Sequence, residues 1–305
     1  MSDTYIQDYV KAGKGVIAAR KLAKKLVKSG ALFLEIANKC EDEITKNGCG
    51  LSFPINMSLN EIAAHYSSPI GDQTKVPEKG LLKIDIGAHF NGYIADSAFT
   101  ININEDPTLQ NYVEAAKEAL DAAIELFNPG IKLYELGEVI AQKIKNRGLQ
   151  PITNLGGHEL KQYNLHAGPF IPNYGERSHN TVIKKGDAYA CEPFATSGVG
   201  KVENGKDAYI YRFVKKIKKN IPYEELNYMN KIEENFKNLP FSPRWIQKNN
   251  LIPQNKIERT INSFMGKKIL EKYPILVERS KEPVAQEEHT IVLDMDGRKI
   301  VTTRE

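Results

Sequence analysis

One segment constrains the fold of this chain more than any other: two β-rich runs joined by Asn91-Gly92. The runs are Leu81–Phe90 and Tyr93–Ile101. Asn-Gly between two such runs is the strongest short-range signal for a β-hairpin, because both central positions of a type I′ turn need a positive φ. The sequence therefore predicts a hairpin in which Phe90 pairs with Tyr93.

This register brings two aspartates together. Gly87 then lies opposite Asp96 and Asp85 opposite Ala98, so both carboxylates leave the same face as diagonal neighbours, about 7–8 Å apart at the backbone. Like charges on an apolar hairpin repel each other and lose hydration. A cation between them removes both penalties, and paired metal ions typically lie about 3.5–4 Å apart. The hairpin alone leaves two alternatives open, a metal site or a solvated surface aspartate.

Three further segments add possible metal ligands. They are Asn154-Leu-Gly-Gly-His158, Ala188-Tyr-Ala-Cys-Glu192-Pro-Phe and Val284-Ala-Gln-Glu287-Glu288-His-Thr. The first places a histidine directly after two glycines, and the other two set carboxylates within or beside apolar strands. One histidine with four carboxylates is an oxygen-rich set that suits Mn, Fe(II), Co or Zn. The three cysteines are odd in number and match no zinc or redox spacing, so we expect them to be reduced and buried.

Pairs of helices followed by strands occur twice along the chain. Hydrophobic periodicity predicts helices at about 4–29, 31–46, 106–127 and 133–147, and further strands near His158 and at 187–194. Asp106-Pro107 is expected to open the third helix, with Asp at the cap. The repeated order suggests two related halves.

A change in composition marks a separate segment between about 200 and 272. It is rich in Lys, Asn and Glu and carries amphipathic helices at about 222–237 and 254–265. Strands return afterwards, at 273–278, 284–293 and 299–303. Because the last of the candidate ligands lies in these strands, we predict a catalytic domain of residues 1–199 and 273–305 that is interrupted by a helical insertion of residues 200–272.

Composition and charge exclude several classes of protein. The 305 residues are 41% hydrophobic and 26% charged, which excludes a mostly disordered chain. No apolar run approaches the roughly 20 residues that a membrane span needs, and the first residues lack an apolar signal stretch, so we expect a cytoplasmic protein without a membrane partner. The net charge of +4 is too small to favour nucleic acid.

The motifs together resemble the methionine aminopeptidases. The resemblance rests on Asp85 and Asp96 eleven residues apart, Asn154-Leu-x-Gly-His158, Leu165-His166-Ala-Gly, Glu192-Pro-Phe and Ala285-Gln-x-Glu288-His-Thr, all in the family's order between Phe53 and Thr303. The insertion between Glu192 and Glu288 resembles the type 2 branch, and the short segment before the first helix is similar to the archaeal form.

The resemblance implies an α+β fold of the pita-bread type. In that fold two pseudo-symmetric αβ halves surround a curved antiparallel sheet, here with a winged-helix-like insertion, and a dinuclear centre holds two divalent metal ions. By resemblance Asp85 holds one metal, Asp96 and Glu288 bridge both, and His158 and Glu192 complete the other. Of the tandem acids, Glu288 matches because it directly precedes His-Thr, whereas Glu287 takes a position that is commonly aromatic in the family.

The resemblance also implies an activity: removal of the N-terminal methionine from nascent proteins with a small second residue. Glu192 is then the proton shuttle, and His65 and His166 hydrogen-bond the substrate near the scissile amide. The implied methionine pocket is lined by Phe53, His65, Leu165, His166, Phe194 and Tyr273. The implied partners are nascent polypeptide N-termini at the ribosome, and the implied state is a monomer.

The sequence is also compatible with three other functions. Proline-specific peptidases such as prolidase and aminopeptidase P share the fold and the ligand pattern, but they usually carry an extra N-terminal domain. A binding protein without enzymatic activity can use the same fold after losing its metal ligands, which are all present here. The lysine run Lys215–Lys219 admits a nucleic-acid role for the insertion, although such runs are usually a solvated face.

Overall fold

The computed structural model describes residues 4–217 and 221–305, so Lys218 and Lys219 of the lysine run lie outside the described residues. The helices are α1 (Thr4–Leu26), α2 (Phe33–Lys46), α3 (Gln110–Leu126), α4 (Leu133–Asn146), α5 (Tyr223–Phe236), α6 (Pro243–Lys248) and α7 (Ile257–Gly266), the last preceded by a 3-10 turn at Gln254–Lys256. None of the described helices is long and apolar enough to cross a membrane.

The strands of the first half include the predicted hairpin. They are β1 (Gly50–Leu51), β2 (Asn56–Leu59), β3 (Ile62–Ala64), β4 (Gly80–Phe90) and β5 (Tyr93–Ile103). The register of β4 with β5 is the predicted one, with Gly87 opposite Asp96 and Asp85 opposite Ala98. The turn residues Asn91 and Gly92 have φ values of 50° and 87°, as a type I′ turn requires. The hairpin prediction is confirmed.

The strands of the second half and of the predicted insertion complete the fold. They are β6 (Gln150–Pro151), β7 (Gly156–Glu159), β8 (Phe170–Pro172), β9 (Ala188–Cys191), β10 (Phe194–Thr196), β11 (Val202–Phe213), β12 (Leu270–Glu278), β13 (Val284–Gln286), β14 (His289–Leu293) and β15 (Lys299–Val301). One antiparallel sheet has the order β15-β14-β9-β7-β8. The α1–α2 pair packs on the β4–β5 hairpin, and the α3–α4 pair packs on strands of the second half, so the predicted two-half arrangement is confirmed.

Several predicted element boundaries are wrong for identifiable reasons. Helix α3 begins at Gln110 rather than at 106, because the Asp106 carboxylate accepts hydrogen bonds from Thr108 N and Oγ1 and forms a turn before the helix. The predicted strand at 187–194 is interrupted at Glu192-Pro193, and Pro193 has no N–H for a ladder. The predicted strand at 284–293 is likewise interrupted at Glu287-Glu288.

The segment between β11 and β12 has a core of its own. These two strands pair antiparallel, and β12 also pairs with β3 of the first half. Helices α5–α7 pack around buried side chains that include Phe241, Trp245 and Phe264. The Arg244 guanidinium of α6 forms a two-point ion pair with the buried Glu41 carboxylate of α2, at 2.6 and 2.7 Å. The domain boundaries at 200 and 272 stay a prediction.

A substitution in the hairpin turn tests the packing of Tyr163 on this turn. We expect Gly92→Ala to destabilise the chain, because its φ is positive and the new Cβ would lie 2.4 Å from Cε2 of the Tyr163 ring. Gly71→Ala is the matched control, since Gly71 also has a positive φ but open space around it. Urea unfolding should show a loss of about 1–2 kcal/mol for Gly71→Ala and about 1–3 kcal/mol more for Gly92→Ala. Equal losses would contradict the packing of Tyr163 on the turn.

Candidate metal centre

Five side chains from distant parts of the chain line one cavity. Asp85 lies on β4, Asp96 on β5, His158 on β7, Glu192 directly after β9 and Glu288 directly before β14. The His158 Nε2 atom lies 3.6 Å from Asp96 Oδ2 and 3.7 Å from Glu192 Oε1. One ligand atom from each of Asp96, His158 and Glu288 lies within 4.8 Å of the others. The structure thus gathers the five residues that the sequence singled out.

The electrostatics of this cluster are unfavourable without a cation. Burial raises the pKa of Asp85 to about 7, and burial together with the neighbouring carboxylates raises the pKa values of Asp96, Glu192 and Glu288 well above their usual range. Burial lowers the pKa of His158 to about 4, so its imidazole is neutral at pH 7. The described residues that line the cavity include no Lys or Arg.

The donor atoms fit divalent metal ions. Asp85 Oδ1 and Asp96 Oδ1 are buried without a hydrogen-bond partner among the described residues, which is costly unless something pairs with them. Two side-chain amides bind other oxygens of the cluster: Asn56 Nδ2 donates to Asp85 Oδ2 at 3.4 Å, and Gln286 Nε2 donates to Glu192 Oε2 at 3.1 Å. A neutral imidazole and four carboxylates, two of them with unpartnered oxygens, form a ligand set for Mn, Fe(II), Co or Zn.

The tandem acids have different environments. Glu288 lines the cavity, whereas Glu287 does not; Glu287 Oε1 instead accepts a hydrogen bond from Thr100 N at 3.3 Å. Burial raises the pKa of Glu287 to about 7, and the Arg20 charge opposes the rise. The next residue, His289, bonds through Nδ1 to Thr303 Oγ1 at 2.9 Å and also lies outside the cavity lining. The geometry therefore favours Glu288 over Glu287 as a ligand.

Two further histidines lie beside the cluster. His65 Nδ1 donates to the carbonyl oxygen of Pro274 at 3.1 Å, which leaves Nε2 as an acceptor in the neutral ring. Burial lowers the pKa of His65 to about 4, and burial with the neighbouring His158 lowers that of His166 well below its ordinary value. The His166 ring centroid lies 4.4 Å from that of His158, and the ring stacks on Tyr273.

The backbone at His65 is unusual for its residue type. Its φ of 68° lies in the left-handed region, which costs a non-glycine residue about 1–3 kcal/mol. Such strain is found where surrounding contacts fix a side chain for function. Here the contacts are the hydrogen bond to Pro274 and an edge-to-face packing on Tyr273.

The cavity walls are mostly apolar, and the sequence found only part of them. Phe53, Leu165, Phe194 and Tyr273 line the cavity as predicted. The sequence reasoning missed Asn56, Ala64, Asn154, Leu155, Gly156, Phe170, Ile210, Pro240 and Gln286. Gln286 lies within the Ala285-Gln-x-Glu288 motif, and Asn154 and Leu155 open the motif that ends at His158, so neighbouring positions in these motifs were the available signal. Ile210 had no local signal, because it reaches the cavity by pairing with Tyr273 across β11 and β12.

A glycine makes room for one of these walls. Gly87 lies opposite Asp96 on the hairpin, and a Cβ there would lie 2.1 Å from Cε1 of Phe53. The missing side chain lets the Phe53 ring lie against the strand beside the acidic cluster. An apolar wall thus comes close to the carboxylates.

Comparison with known sequences identifies related proteins. The sequence model described as metallopeptidase family M24 matches residues 7–233. The methionine aminopeptidase of Pyrococcus horikoshii is 39% identical over 97% of this chain and 99% of that protein. The methionine aminopeptidase of Saccharolobus solfataricus is 39% identical over 100% of this chain and 99% of that protein.

Solved structures with low identity share the fold. A thermophilic Arx1 superposes with a TM-score of 0.87 at 15% identity, over 99% of this chain and 91% of that chain. The methionine aminopeptidase of Thermotoga maritima gives a TM-score of 0.72 at 20% identity, over 100% of this chain and 98% of that chain. The prolidase of Pyrococcus furiosus gives a TM-score of 0.63 at 17% identity, over 100% of this chain and 65% of that chain. The predicted pita-bread fold is confirmed, and the chain belongs to metallopeptidase family M24.

Proposed function

We propose that this chain is a divalent-metal-dependent aminopeptidase that removes the N-terminal methionine from newly made proteins. The observation that carries the proposal is the buried cluster of four carboxylates and one neutral histidine in a cavity with apolar walls. The archaeal relatives that match nearly the whole chain are named methionine aminopeptidases. Their name supports methionine as the residue removed.

The proposed ligand set holds two ions. Asp85, Asp96, His158, Glu192 and Glu288 would together hold them. Charge supports two ions rather than one, because four carboxylates carry about four negative charges and two divalent ions neutralise them. The two unpartnered oxygens, Asp85 Oδ1 and Asp96 Oδ1, belong to neighbouring strands and supply one ligand atom each.

When divalent ions occupy this set, they supply a Lewis acid for the peptide carbonyl and lower the pKa of a bound water toward neutrality. The chain's own residues handle the protons. Glu192 is the proposed proton shuttle: its Oε2 is held by Gln286, and its Oε1 lies 3.7 Å from His158 Nε2. From this position the Glu192 carboxylate can take a proton from water and pass it to the leaving amine.

His65 and His166 act on the peptide group of the substrate. In the neutral ring of His65, Nε2 is an acceptor, so His65 accepts a hydrogen bond from a substrate N–H. His166 stacks on Tyr273 and lies next to His158, which places its ring beside the cluster for a hydrogen bond to the scissile amide. Both roles are orienting and stabilising rather than nucleophilic.

The walls and the charge of the cavity define the substrate. The ions that the cluster would hold can also bind the free α-amine of the substrate, which would restrict cleavage to the first peptide bond. Phe53, Leu165, Phe194 and Tyr273 surround a flexible thioether side chain with apolar contacts. We propose a small second residue, because a large one beside the ions would crowd His65 and Tyr273, whose rings pack edge to face.

We further propose that the chain acts in the cytoplasm, as a monomer, on nascent N-termini at the ribosome. A single chain supplies all five proposed ligands and the described cavity walls, which supports a monomer. The insertion of residues 200–272 is proposed as a wall of the pocket, because Ile210 and Pro240 line the cavity from that segment.

Metal binding should release protons. The carboxyl groups of the ion-free site have raised pKa values, so at pH 6.5 they hold protons that a metal ion must displace. We expect titration calorimetry of Mn²⁺ at pH 6.5, in buffers of different ionisation enthalpy, to show release of about one proton or more, and tighter apparent binding as the pH rises to 8. Asp85→Asn should reduce the release. Binding without proton release, and independent of pH, would contradict the ligand set.

Peptide cleavage should depend on His158 and on methionine. We expect the Mn²⁺- or Co²⁺-loaded chain to cleave Met-Ala-Ser, and His158→Ala to lose more than about a hundredfold in kcat/KM, equivalent to about 2.7 kcal/mol of transition-state stabilisation. His179→Ala is the control, because His179 lies outside the cavity lining. Product release is measured by chromatography. Preferential hydrolysis of Gly-Pro would instead indicate a proline-specific peptidase.

A further inference from the structure

A buried arginine lies behind the metal centre. Arg20 of α1 is only 6% exposed, and its Nη1 donates to Ser97 Oγ at 2.6 Å and to the carbonyl oxygen of Ala98 at 3.0 Å. Its guanidinium carbon also lies 4.6 Å from the centre of the Phe99 ring. Because side chains alternate along a strand, Ser97 leaves β5 on the face opposite Asp96, toward α1.

The two atoms that Arg20 contacts on β5 are tied to the backbone of Glu288. Glu288 N donates to Ala98 O at 2.9 Å, and Ser97 Oγ donates to Glu288 O at 2.7 Å. Both polar backbone groups of this proposed ligand are therefore held by groups in direct contact with one guanidinium. Glu288 lies in the break between β13 and β14, where no strand pairing fixes its conformation.

Threonine hydroxyls join β5 to the segments on either side of this break. Thr290 Oγ1 accepts from Asp96 N at 2.7 Å and donates to Asp96 O at 2.8 Å. Thr100 Oγ1 accepts from Gln286 N at 2.8 Å and donates to Gln286 O at 2.7 Å. Glu288 lies between Gln286 and Thr290, and its own backbone is held by the hydrogen bonds to Ala98 O and Ser97 Oγ.

We propose that Arg20 is a positioning residue for the metal centre, which orients Glu288 for divalent ions through Ser97 and Ala98 without touching the ions. The inference rests on the ligand set of the proposed function. Groups that hydrogen-bond a metal ligand without contacting the metal typically contribute about 10–100-fold to metal affinity.

The environment of Arg20 argues against a purely stabilising ion pair. Among the described residues, the Arg20 guanidinium hydrogen-bonds Ser97 and Ala98 rather than a carboxylate, and its Nε has no hydrogen-bond partner. The charges of Glu287, Glu305 and Glu288 act on it without forming such a pair, and they oppose the lowering of its pKa by burial. Arg244 offers a contrast, since it is equally buried but forms a two-point ion pair with Glu41. A buried cation that bonds to a hydroxyl and a carbonyl is well suited to fixing their geometry.

The test measures metal affinity rather than activity alone. We expect Arg20→Met and Ser97→Ala each to weaken Mn²⁺ binding, by calorimetry, about 10–100-fold, and the double variant to lose less than the product of the two. Arg20→Lys keeps a charge and a donor, and should recover part of the loss. The Co²⁺ absorption spectrum should change in Arg20→Met and Ser97→Ala, since Glu288 moves relative to the ions.

Arg244→Met is the matched control, because it removes an equally buried guanidinium whose hydrogen bonds go to Ser68, Asn38 and Glu41 and to none of the proposed ligands. It should lower the thermal midpoint, measured by circular dichroism, but leave Mn²⁺ affinity within about threefold of the unsubstituted chain. Should Arg20→Met fail to fold, Ser97→Ala, which removes a single hydroxyl, decides the question.

The outcomes separate the inference from the proposed function. If the unsubstituted chain binds no Mn²⁺ or Co²⁺, the proposed metal centre fails and the role of Arg20 fails with it. If the unsubstituted chain binds Mn²⁺ and Ser97→Ala binds it equally well with an unchanged Co²⁺ spectrum, Arg20 has no positioning role and the proposed function stands. Loss of affinity in Arg244→Met equal to that in Arg20→Met would likewise overturn the inference.

Discussion

The main electrostatic constraint on this structure is the burial of four carboxylates within one cavity. Asp85, Asp96, Glu192 and Glu288 repel each other and lose hydration, as their raised pKa values indicate. In a folded protein such a cluster is tolerated when protons or cations neutralise it. The described residues that line the cavity provide no Lys or Arg, so divalent ions are the natural counter-charge. We therefore expect metal binding to stabilise this cluster.

The fold supplies these four groups, together with His158, from both halves of the molecule. The β4–β5 hairpin of the first half brings two aspartates, and β7, β9 and β14 of the second half bring the histidine and the two glutamates. Each glutamate lies at an interruption of a strand, where the backbone is free of ladder pairing. Hydroxyl and amide groups hydrogen-bond the four carboxylate residues, and a helix pair packs on the strands of each half.

The sequence predicted the parts of the site that depend on local pattern. The Asn91-Gly92 turn fixed the register of the hairpin, and the register placed Asp85 and Asp96 on one face. The motif resemblance selected His158, Glu192 and Glu288 from many acids and histidines. It could not predict Ile210 or Pro240 in the cavity wall, because their positions follow from long-range pairing. Ile210 pairs with Tyr273 across β11 and β12, and Pro240 directly precedes Phe241, which bridges to Tyr211. The left-handed backbone of His65 and the interrupted strands likewise result from tertiary contacts, which the hydrophobic periodicity of the sequence does not predict.

The most direct test is the location of the ions themselves. Crystals of the chain grown with Mn²⁺ should be measured at an X-ray energy near the manganese absorption edge, so that anomalous scattering identifies the metal without reference to its ligands. The account predicts two anomalous peaks about 3.5–4 Å apart, enclosed by the side chains of Asp85, Asp96, His158, Glu192 and Glu288. Manganese bound elsewhere in the chain, with this cluster empty at saturating Mn²⁺, would contradict it.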